Sequence, residues 1–104
     1  MELKMNENLY VKEVAGGYQI CIDMPDSSRN YMHCEPIKHL EDVSKYLNDL
    51  NGLQIEDVRI ITDSSYYRLY LSIPVNENVE LHFHSRKLNL NDVYFEKEMI
   101  ESGT

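Results

Sequence analysis

Tryptophan is absent from the chain, and no apolar run approaches the ~20 residues that a membrane-spanning helix needs. The four glycines, Gly16, Gly17, Gly52 and Gly103, form no phosphate-cradling loop. Neither a G-x-S-x-G nucleophile turn nor an H-E-x-x-H zinc motif occurs. Two cysteines, Cys21 and Cys34, form no close pair of the kind a zinc site uses. The first residues, Met1 to Glu7, lack the basic and apolar regions of a signal peptide. These absences lead to an expected cytoplasmic protein with reduced thiols. They also remove the common small-enzyme explanations, so no catalysis and no cofactor are expected.

Positive charge is also scarce. Ten Lys and Arg face 18 Asp and Glu, for a net charge of -8. The excess lies in the middle: residues 23–63 carry nine acids and four bases. Such a field repels phosphate backbones, which disfavours direct nucleic-acid binding and favours a protein partner with a basic surface.

What is present is one globular domain, 1–104, with 42% hydrophobic and 27% charged residues. Eight tyrosines supply the aromatic character. Tyrosine forms strands well and is enriched at interfaces, because its body is apolar and its tip polar.

Apolar periodicity divides the chain. Leu9–Val14 and Tyr18–Met24 read as a hairpin closed by Ala15-Gly16-Gly17, with Tyr18, Ile20, Ile22 and Met24 on one face. Pro25 to Asn30 is a turn cluster, and Tyr31–Glu35 a third strand. A register that sets Met32 and Cys34 beside Ile20 and Ile22 suits the buried face. It sends the two cysteines to opposite faces, so two free thiols are expected.

Leu40, Val43, Leu47 and Leu50 form an apolar stripe, predicting a helix over Ile37–Leu50 with Pro36 in its first turn and Gly52 as its stop. Asp57–Thr62, Tyr66–Ile73 and Val79–His84 predict an antiparallel meander. In it Tyr67, Leu69, Leu71 and Ile73 face the core with Val79, Leu81 and Phe83. The tail admits either a short helix capped by Asn91 or Asp92 and running to Ile100, or a strand over Val93–Glu96. Ser102-Gly103-Thr104 is expected to fray. No internal repeat is visible. The expected fold is α+β: an antiparallel sheet in the order β-β-β-α-β-β-β, with a short C-terminal helix or strand, packed on one amphipathic helix.

Two surfaces emerge as candidate partner-binding sites. One is the outward face of the meander, where Tyr66, Arg68 and Tyr70 on one strand neighbour Glu80, His82 and His84 on the next. Tyrosine and arginine are enriched at binding hot spots. The other is an acidic stripe of Glu41, Asp42, Asp49, Glu56 and Asp57. Its alternative is an ordinary solvated helix face with Lys38–Asp42 and Glu41–Lys45 pairs at i, i+4. His82 and His84 share a strand face but lack a convincing third ligand, so no metal is expected. His33 and Cys34 are adjacent on a strand and face opposite ways, which argues against a nucleophile–base pair.

These features point to a small acidic non-catalytic protein-binding module. By class analogy alone it suits an inhibitor of a basic nucleic-acid-acting protein, of the anti-CRISPR, anti-restriction or toxin-immunity type found on phages and mobile elements. The alternatives are a homodimeric assembly or housekeeping subunit, and a small histidine-based metal protein or enzyme.

Overall fold

The fold is described from a computed structural model, which covers residues 2–5, 7–23, 30–55 and 58–102. Strands β1 (Leu9–Val14), β2 (Gly17–Asp23) and β3 (Asn30–His33) precede helix α1 (Leu40–Leu50). Strands β4 (Arg59–Asp63), β5 (Tyr66–Pro74) and β6 (Glu80–His84) precede helix α2 (Leu90–Ser102). The strands form one six-stranded sheet in the order β1-β2-β3-β6-β5-β4. Every neighbouring pair is antiparallel.

The chain is thus two βββα units. Exchanging the units maps the strand order onto itself, as a two-fold axis through the β3–β6 seam requires. The registers agree residue by residue. Tyr10 lies opposite Cys21 and Cys21 opposite Met32; Arg59 lies opposite Tyr70 and Tyr70 opposite His84. Core positions match in the same way. Ile20 and Ile22 correspond to Leu69 and Leu71, Tyr31 to Phe83, and all six are fully buried. Sequence periodicity does not show this repeat, because only the buried equivalents share chemical type, and their separation changes from 49 (Val11 to Ile60) to 52 (Tyr31 to Phe83).

One close approach repeats as well. The backbones of Tyr18 and Ile37 exchange hydrogen bonds of 2.8 and 2.7 Å, and those of Tyr67 and Leu88 exchange bonds of 2.9 and 2.8 Å. Each pair ties the start of a middle strand to the segment just before a helix. In the first unit only glycine permits this. Gly17 has φ 145, and a Cβ there would sit 2.3 Å from the Ile37 carbonyl oxygen.

Both helices pack on one side of the sheet. Val43 and Leu50 of α1, and Val93 and Ile100 of α2, join a single core with the inward strand residues. Among the described residues, the other sheet face carries no helix.

Several sequence expectations need correction. Helix α1 begins at Leu40 instead of Ile37. Ile37 is committed to its bridge with Tyr18, so Pro36 lies outside the helix, and Leu40 is exposed instead of joining the stripe. The tail is helical and a second helix joins the first on the sheet. Its N-cap is Asn89, whose Oδ1 accepts from the Asp92 N–H at 2.8 Å, and not Asn91 or Asp92. Cys21 pairs with Met32 and Ile22 with Tyr31, a register two residues away from the cross-strand cysteine pairing. Tyr31 therefore enters the core in place of Met32 and Cys34, and both cysteines fall on the open-face parity of their strands. A buried tyrosine won that position because its hydroxyl reaches Glu96 on α2 at 3.4 Å. Both thiols are free, as expected. Met24, the Pro25–Arg29 turn and Gly103-Thr104 lie outside the described residues; Ser102 is the last residue of α2.

Candidate functional site

The outward residues of β5 and β6 come together as their alternation requires. Tyr70 stands opposite His84 and Ser72 opposite His82. The Tyr70 ring stacks diagonally on His82, with centroids 5.6 Å apart. The Arg68 guanidinium lies 5.5 Å from the Tyr66 ring centroid, and the Lys87 ammonium 4.4 Å from the same ring. Arg59 on β4 lies 5.4 Å from the Tyr70 ring centroid. Glu80 accepts a hydrogen bond from the Ser72 hydroxyl. All six residues of the first candidate surface therefore share one face, and the strands that carry them fix their backbone.

A buried serine that the sequence reading passed over organises one end of this face. Ser85 is fully buried. Its hydroxyl accepts from the Leu69 N–H at 2.9 Å and donates to the Arg86 carbonyl at 2.7 Å. Its own carbonyl accepts from Arg68 Nη1 at 2.9 Å. The same Nη1 is 2.8 Å from His84 Nδ1. His84 Nδ1 also lies 2.9 Å from the Ser85 carbonyl oxygen, so Arg68, His84 and Ser85 form one polar cluster. A serine just past an alternating strand is too common to have signalled this role.

Tyr70 stays half-buried, because α2 covers the opposite face. Partial desolvation, with the Cys34 sulfur beside it, pushes its phenol above the ordinary value of 10.0. The hydroxyl is therefore a neutral donor and acceptor at physiological pH.

At the β3–β6 end, a 540 Å³ cleft is lined by His33, Cys34, Glu35, Tyr70, Glu80 and His82, among others. Its chemistry is not that of a nucleophile. Burial first, and then the Glu35 charge, push the Cys34 thiol above 9.0, so it is protonated at neutral pH. Burial holds the His33 imidazole below 6.5, despite its hydrogen bond to the Glu35 carbonyl. His33 turns its ring to the core side, edge-on to Phe83 with centroids 5.4 Å apart. Among the described residues, no group of three or more His, Cys, Asp or Glu side chains is placed to hold a metal ion.

Of the acidic candidates, Asp42 lines the same cleft as Tyr70, Glu80 and His82. Glu41 and Asp42 occupy the exposed first turn of α1, and Asp49 its last turn. Ion pairs among the described residues include Lys4–Glu7 and Lys97–Glu101. Neither Lys38–Asp42 nor Glu41–Lys45 is among them, and Lys38 precedes the helix. The α1 acids are therefore not neutralised within the helix, contrary to the i, i+4 expectation. Glu56 and Asp57 lie outside the described residues. The two candidate surfaces meet at this cleft through Asp42.

Among the described residues, no helix is long and apolar enough to cross a membrane. No family model, no curated protein and no solved structure matches the chain.

Proposed function

We propose that this chain is a non-catalytic protein-binding module whose contact surface is the open sheet face around Tyr66, Arg68, Tyr70, His82 and His84. The observation that carries this reading is the joint placement of those side chains on a sheet face without a helix, where ring stacking and cation–π contacts pre-order them. Pre-ordered aromatic and arginine side chains lose little conformational entropy on binding, and they are the side chains in which binding energy concentrates.

The comparison of the two units supports the location. Where β5 and β6 carry Arg68, Tyr70 and His84, the equivalent positions on β2 and β3 carry Gln19, Cys21 and Met32. The inner faces keep the same chemistry in both units, whereas the outer faces diverge toward large aromatic and cationic groups in one.

A second reading rests on the α1 acids. Glu41, Asp42 and Asp49, without intrahelical ion pairs, suit docking on a basic protein surface, as an antagonist of a nucleic-acid-acting protein requires. Capture from the native cell extract separates the two. Tyr66→Ala/Tyr70→Ala is expected to lose the partner, while Glu41→Lys/Asp49→Lys is expected to keep it. The opposite pattern would transfer the function to the helix.

A further inference from the structure

The two edge strands of the sheet occupy equivalent positions in the two units but are finished differently. On β1, Lys12 and Glu13, which point to opposite faces of the sheet, are both exposed. One end of β1 is also covered, because Met5 bridges Leu9 and the Leu9 N–H donates to the Lys4 carbonyl at 3.2 Å. Charged side chains and a covering segment are the usual protection of a sheet edge. Ile61 of β4 takes the place of Lys12, and Thr62 that of Glu13. Among the described residues, no strand pairs with the outer side of β4.

Apolar groups flank this edge on both sides of the sheet. On the open side Ile61 is 43% exposed. On the helix side Ile60 and Tyr94 of α2 line a shallow cleft, and Tyr94 is 59% exposed. A strand added to β4 would cover Ile61 from one side and Ile60 with Tyr94 from the other.

The sequence of β4 specifies what that strand is. Arg59-Ile60-Ile61-Thr62-Asp63 is complementary to itself when run antiparallel. Placing Ile61 opposite Ile61 of a second copy sets Arg59 against position 63, an aspartate, at both ends. Opposite charges directly across an antiparallel pair stabilise it, and a one-residue slip would lose both pairings. The symmetry is that of an isologous dimer interface.

We infer that β4 pairs antiparallel with β4 of a second copy, about Ile61, so that two six-stranded sheets join into one continuous sheet. This pairing uses the strand edge and leaves Tyr66, Tyr70 and His82 uncovered. It therefore stands or falls separately from partner binding.

Analytical ultracentrifugation of the intact chain across micromolar concentrations tests it. The wild type is expected at twice the chain mass of 12.3 kDa. Arg59→Asp sets two aspartates against each other at each end and is expected to halve that mass. Arg59→Asp/Asp63→Arg restores the complementarity and is expected to restore the dimer. Ile61→Lys, at an exposed position, provides a second monomerising variant, and circular dichroism checks that each variant is folded. A wild type that sediments as a monomer throughout would overturn the inference. So would a dimer indifferent to Arg59→Asp, or a charge-swapped double variant that stays monomeric.

Discussion

Tyr31 and Phe83 hold one position in two copies: each is fully buried on the third strand of its unit, opposite Ile22 and Leu71 respectively. They flank the β3–β6 seam where the units meet, so the core is shared across it. Loss of either ring should destabilise both halves together.

Phe83→Ala is expected to cost about 3–5 kcal/mol, because it removes a large buried ring and leaves a cavity. Tyr31→Phe keeps the ring and removes the hydroxyl with its hydrogen bond to Glu96, for about 1–3 kcal/mol. Urea unfolding followed by circular dichroism should show one transition for each variant. Two separate transitions would mean that the units fold independently.

Glycine replacements should separate two causes of strain. Gly52→Ala meets no atom within 4 Å, and its penalty is that of φ 90 alone, about 1–2 kcal/mol. Gly17→Ala meets the Ile37 carbonyl at 2.3 Å as well, so it must break the Tyr18–Ile37 bridge. Its melting temperature should fall further than that of Gly52→Ala. Equal effects would show that the bridge contributes little.

Stability should fall with acidification through His33. Burial holds its folded pKa below 6.5, so below that value the unfolded chain binds the proton more readily than the folded one. The associated stability is complete above 6.5 and is lost as pH falls through that value toward the lower folded pKa. Comparing urea midpoints at about pH 7.5 and about pH 5.5 should show a drop in the wild type that is smaller in His33→Gln. An equal drop in both would remove His33 as its source.

The two thiols should differ in accessibility and agree in reluctance. Burial raises both above 9.0, so alkylation at neutral pH should be slow at each. Cys34 is exposed and Cys21 buried, so mass spectrometry should find Cys34 modified first. Faster modification of Cys21 would require the sheet to open.

Much of this architecture was legible in the sequence. Leu9–Val14 was placed to the residue, and the inward and outward sets of Tyr66–Ile73 and of the following strand alternate as expected. Alternation is a local signal with a period of two, and it survives whatever the sheet order. Register is not local. The β2–β3 pairing turned on whether Tyr31 or Met32 entered the core, and the answer lay 65 residues away, in Glu96 of α2. The tail was ambiguous for a related reason. Leu90, Tyr94 and Phe95 of α2 are exposed whereas Glu96 is buried, so its apolar residues do not trace the buried face. The tyrosine–arginine–histidine face was readable because two alternating strands in one meander must pair. Its anchoring by Ser85 was not, since that depends on hydrogen bonds beyond the strand pattern. The duplicated layout stayed hidden because only the buried equivalent positions keep their chemical type, and the outer ones diverge.

The central claim is that the open face of β5 and β6 binds a protein. Its most direct measurement is quantitative capture from the native cell extract, comparing the wild type with Tyr66→Ala/Tyr70→Ala and with Tyr10→Ala, which changes the open face of β1. Truncation at a hot spot costs about 2 kcal/mol or more, roughly a thirtyfold loss of affinity. The predicted result is one protein recovered by the wild type and by Tyr10→Ala, and lost from the folded double variant. Recovery of that protein by all three baits in equal amount would contradict the assignment.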